Sequence, residues 1–112
     1  MPQTHYRQGD VLILRVNSVP DGLKVEPRDN GRVILAYGEV TGHAHAILEP
    51  ETDVRLLAGE GLNDRFLQVL ADGGVNLVHD EHSTIVLPAG DYKVVRQREY
   101  DIASGMVRLV AD

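Results

Sequence analysis

Apolar residues along this chain fall in short runs broken by Gly, Pro, Asn and Asp. No run holds a period of about 3.6 residues over three turns, so long amphipathic helices are not expected. Val11–Val16 is rich in β-branched residues and follows Gly9-Asp10, which predicts a strand buried on both faces. Residues 1–9 read as an arm or short edge strand. Pro20-Asp21-Gly22 presets a turn, and Asn30-Gly31 predicts a hairpin because both residues tolerate positive φ. Further strands are expected over 32–37, 54–57, 65–70, 75–79, 84–87, 92–100 and 106–110, with 65–70 and 75–79 as two arms of a hairpin joined through Ala71-Asp72-Gly73-Gly74. The expectation is an all-β fold: one domain spanning 1–112, an antiparallel β-barrel or β-sandwich.

The most informative alternation runs from Glu39 to Glu49. Val40, Gly42, Ala44, Ala46 and Leu48 are apolar or small, while Glu39, Thr41, His43, His45 and Glu49 are polar, with Ile47 the exception. Side chains alternate between the faces of a strand, so His43 and His45 share one face. A second pair, His79 and His82, flanks Asp80-Glu81 at an expected turn. Four of the five histidines thus lie in two tight pairs, and His5 is expected to be solvated.

Imidazole is the commonest protein ligand of transition metals, and the chain has no cysteine, so a metal here would use nitrogen and oxygen. The expectation is that the fold joins the pairs, with His43, His45, His79 and His82 around one divalent ion (Zn, Fe, Mn, Ni or Cu). Glu49 and Glu81 are the candidates for a further ligand or a general base. Two plainer readings compete: a neutral hydrogen-bonded histidine cluster, and simple exposure, since burying Ala44 and Ala46 would turn both histidines of the first pair to solvent. A third, a pH switch, follows from repulsion between protonated pairs.

Composition narrows the rest. The chain has 112 residues, 43% hydrophobic and 25% charged, with a formal charge of −6. Eleven scattered Lys and Arg do not make a nucleic-acid surface. No apolar run suits a membrane span and no signal-peptide pattern opens the chain, so a cytoplasmic location is expected, with no membrane partner. A small-molecule ligand and homo-oligomerisation both remain compatible with the sequence. Gly59 and Gly61 make no phosphate loop, because no Gly-Lys-Ser/Thr follows. Ser83 beside His82 is too little to indicate a hydrolase. Arg96 and Arg98, sharing a face with Tyr92 and Tyr100, could clamp a carboxylate or phosphate; the plainer expectation is a solvated row with cross-strand carboxylate partners.

Gly38, His43, His45 and Glu49 resemble the first cupin motif, in which a glycine precedes His-x-His and a glutamate follows. The glycine spacing is one residue short. Pro88-Ala89-Gly90 resembles the turn of the second motif, but Lys93 stands where its histidine would be, and His79 and His82 precede the turn. The resemblance implies a metal-binding β-barrel. The segments 38–46 and 87–100 are also similar to small bacterial and phage proteins of no assigned activity.

Overall fold

The computed structural model describes residues 4–38, 43–61, 64–96, 98–101 and 106–109, the last two stretches as backbone. The described strands are β1 (His5–Gln8), β2 (Val11–Val16), β3 (Lys24–Val25), β4 (Val33–Tyr37), β5 (Ala44–Ile47), β6 (Val54–Ala58), β7 (Arg65–Val69), β8 (Val75–Val78), β9 (Ile85–Leu87), β10 (Gly90–Arg96), β11 (Arg98–Asp101) and β12 (Met106–Leu109). They form a six-stranded sheet in the order β1-β2-β10-β7-β6-β3, a four-stranded sheet in the order β4-β5-β8-β9, and the β11–β12 hairpin. Every strand pairing is antiparallel.

The two larger sheets share one core. Val11, Ile13, Leu67, Tyr92 and Val94 from the six-stranded sheet pack with Val33, Leu35, Ile47, Leu77 and Leu87 from the four-stranded one. This is a sandwich, not a closed barrel: among the described residues both sheets keep free edges. Two of those edges, β3 with two residues and β9 with three, are too short to carry a closing ladder. On the far side of the four-stranded sheet, Ile34, Ala44 and Ala46 form a second small cluster against Val78.

Local signals were read well where turn chemistry decides. Asn30 and Gly31 take φ of 52° and 78°, and Asp29 and Arg32 exchange two backbone hydrogen bonds of 3.0 Å across them. Two expectations are corrected. β2 is fully buried on one face only, through Val11 and Ile13, with Leu12 and Leu14 on the other face half-buried. β7 and β8 are not hairpin arms: β7 pairs with β6 and β10, whereas β8 pairs with β5 and β9. Residues 71–74 therefore carry the chain from one sheet to the other. Gly74, at φ 79°, permits this because a Cβ there would stand 2.6 Å from the Leu87 carbonyl oxygen.

Candidate functional site

A strand pair supplies the frame. Gln8 and Val11 face each other across the Gly9-Asp10 turn, and Val11 pairs on its other side with Arg96 of β10. This end of the large sheet lies against the start of β5 and the end of β8, where the histidines are. Residues 39–42 lie outside the described residues, so the alternation can be followed only from His43 onward.

The fold brings all four paired histidines together. The ring of His79 lies 4.3 Å from His45, 4.6 Å from His82 and 5.8 Å from His43, centre to centre, and His45 lies 5.8 Å from His82. His45 is fully buried and His79 nearly so. Plain exposure of the first pair is thus overturned: β5 is covered on both faces, with Ala44 and Ala46 on one side and His45 turned between the sheets. His5, as expected, is exposed.

Hydrogen bonds decide which nitrogen of His45 carries a proton. Gln8, buried on β1, donates through Nε2 to the carbonyls of Leu77 (3.0 Å) and Ser83 (2.9 Å). Carbonyls only accept, so the amide cannot be reversed, and its Oε1 is the atom 2.9 Å from His45 Nδ1. His45 Nδ1 is therefore the donor. Its Nε2 lies 3.5 Å from Oδ1 of Asp10, itself fully buried and accepting no hydrogen bond at that oxygen. A bare Nε2 lone pair and a carboxylate oxygen would oppose each other; a proton or a metal ion between them removes the conflict. The other Asp10 oxygen accepts from Arg96 Nε at 2.6 Å.

His79 has the opposite arrangement. Its Nδ1 accepts the Glu81 backbone N–H at 3.0 Å, which leaves the proton of the neutral ring on Nε2. His43, at the rim, has Glu81 Oε1 3.1 Å from Nδ1 and Asp80 Oδ2 3.4 Å from Nε2. Of the two candidate glutamates, Glu81 joins the histidines. Glu49 Oε2 instead accepts from the backbone and side-chain amides of Asn76 (2.9 and 3.0 Å), bracing the strands. As they stand, no three His, Asp or Glu side chains among the described residues close on a common point tightly enough to hold a metal ion.

Sequence reasoning found the histidines but missed Gln8 and Asp10. Gln8 had a signal: it shares with Tyr6 the inward face of an edge strand, where an amide needs buried partners. Asp10 had none, because after Gly9 it reads as an ordinary turn residue. Arg96 has the expected carboxylate partner, but that partner is buried; the side chains of Arg98 and Tyr100 lie outside the described residues.

A two-sheet antiparallel sandwich with histidines, an amide and a carboxylate walled into one end is the class that fold and site define. Over residues 7–97 the chain matches the model of a domain of unknown function, DUF8820, and it belongs to that family. No curated protein and no solved structure matches it. Among the described residues no helix is long and apolar enough to cross a membrane.

Proposed function

We propose that this domain binds a divalent transition metal through His43, His45, His79 and His82. The observation that carries the reading is the apposition of His45 Nε2 and the Asp10 carboxylate, 3.5 Å apart and fully buried. Two donors sharing one metal at about 2.1 Å sit roughly 3–3.5 Å apart, and imidazoles bound to one ion have ring centres about 5 Å apart. The ring separations of 4.3 to 5.8 Å lie about that value. Loading has a definite local consequence: His79 cannot bind an ion while neutral and also keep its Nδ1 on the Glu81 amide as it is. Coordination at Nδ1 displaces that N–H, and coordination at Nε2 moves the ring proton to Nδ1, against it.

The cupin-like part of the reading rests on Gly38, His43, His45 and Glu49. With Glu49 held by Asn76, the carboxylates near a metal are Asp10, Asp80 and Glu81, and Glu81 is the candidate base. An open coordination position would give a Lewis acid or an activated water; four histidines would close the site and make the metal structural. The domain is taken to work in the cytoplasm, as a cysteine-free composition allows.

The test is metal analysis of protein purified without an affinity tag, followed by titration of the stripped protein with Co²⁺ and Zn²⁺. We expect about one equivalent bound, a Co²⁺ visible spectrum, and loss of both in the double variant His43→Ala/His79→Ala. Sub-stoichiometric metal indifferent to that variant would sink the proposal. The second reading, a metal-free histidine cluster in a non-enzymatic interaction module, is favoured by the Gln8–His45 and Glu81–His79 hydrogen bonds, which occupy one nitrogen of each buried ring without any ion.

A further inference from the structure

We propose a second binding site: the cleft between β4 and the six-stranded sheet takes a small organic monocarboxylate, held by the guanidinium of Arg96. The cleft has a volume of about 380 Å³, within the range of small-molecule pockets, and its walls include Glu26, Asp29, Ile34, Tyr37, Arg65 and Arg96. Its polar side chains can be sorted by what they already hold. Arg65 donates to the carbonyls of Leu35 and Ile34 and to Glu26, so this arginine and Glu26 satisfy each other and the outer edge of β4. Asp29 accepts from the Tyr37 hydroxyl and lies 4.0 Å from Arg32.

Arg65 thus has both Nη groups engaged, whereas Arg96 keeps both of its own for a ligand. Only its Nε is engaged, by Asp10; its two Nη groups have no acceptor among the described residues. Asp10 is fully buried and fixes the guanidinium from behind, so the fork is preorganised, and planar Nη donors match a carboxylate. A dianion is disfavoured because Glu26 and Asp29 share the walls. Ile34 offers an apolar surface to the body of the ligand. The site does not depend on the metal reading, although Arg96 and His45 contact the two oxygens of the same Asp10.

The experiment is an NMR titration of the whole chain with benzoate, with benzamide as a neutral control of the same shape and phenyl phosphate as the dianion. Benzoate should shift the Arg96 Nε–H and Ile34 methyl signals saturably, benzamide and phenyl phosphate at least about tenfold more weakly. Arg96→Lys keeps a positive charge opposite Asp10 but lacks the fork, and should weaken benzoate about tenfold. If Arg96→Lys fails to fold, the three-ligand comparison on the wild-type chain decides alone. Equal shifts from benzoate and benzamide, stronger binding of phenyl phosphate, or no saturable benzoate shift would each overturn the proposal.

Discussion

The two ends of the β2–β10 pair each hold one arginine, and they use it differently. At one end Arg15 lies over the Tyr92 ring, 5.1 Å from its centre, and donates to the phenol oxygen at 3.0 Å. That phenol in turn donates to the Pro88 carbonyl at 2.6 Å. At the other end Arg96 holds Asp10, whose second oxygen faces His45. The first knot has a carbonyl and a phenol as acceptors, groups that keep one state across ordinary pH. The second has a carboxylate placed against an imidazole, and its balance depends on a proton or an ion. One end closes the sandwich; the other leaves it with an unmet demand.

Mutating the central group at each end should separate the two most sharply. Asp10→Asn keeps the volume but removes the buried charge that Arg96 and His45 share, and should destabilise the fold by about 3 kcal/mol. The estimate is at the low end for a broken buried pair because Arg96 can reach solvent. Arg15→Ala leaves Tyr92 its bond to Pro88 and should cost about 1 kcal/mol. Urea unfolding of both variants checks the order. An Asp10→Asn loss no larger than that of Arg15→Ala would mean that Asp10 is not the keystone of its end.

Local chemistry made much of this fold legible. The Asn30-Gly31 turn and the strand runs follow from φ preferences and alternation, which act within a few residues. Sheet membership does not. Ala71-Asp72-Gly73-Gly74 has the composition of a hairpin turn, yet it changes sheets, because the partners of β7 and β8 are set by distant strands. The site divides the same way. Pairs of histidines are visible in a chain with only five. Gln8 is 37 residues from His45, and the bond between them exists only because β1 and β5 belong to facing sheets. Asp10 looks like any turn residue until its burial is known.

The pH dependence of the closed end follows from Tyr92. Burial, helped by nearby Tyr6, raises its pKa above the usual tyrosine value, with Arg15 opposing. A raised folded-state pKa means that the unfolded chain gives up this proton first. The stability it contributes is whole below about pH 10, the unfolded value, and is lost as pH rises through the folded one. Absorbance titration at the phenolate band, compared between wild type and Tyr92→Phe, should therefore show the Tyr92 phenol ionising late, together with unfolding. Tyr92→Phe should abolish that coupling. A Tyr92 that ionises at the usual tyrosine value, well before any unfolding, would contradict the account.

The smallest effect tests the open end most directly, because it concerns the position of one proton on one ring. Gln8 forces the proton of His45 onto Nδ1, while the Glu81 amide forces that of His79 onto Nε2. Two rings 4.3 Å apart should then be opposite tautomers in the metal-free protein. Long-range ¹⁵N–¹H correlation distinguishes protonated from bare ring nitrogens and reads both rings at once. Gln8→Met keeps the length of the side chain and removes the acceptor; at about 1 kcal/mol per hydrogen bond, the His45 preference should relax by roughly fivefold while His79 is unchanged. If His45 carries its proton on Nε2 alone, that proton already lies between it and Asp10, and the space assigned to a metal is taken. If Nε2 is bare in the stripped protein, a lone pair and a carboxylate are being held apart by the fold, and the site is poised for a cation.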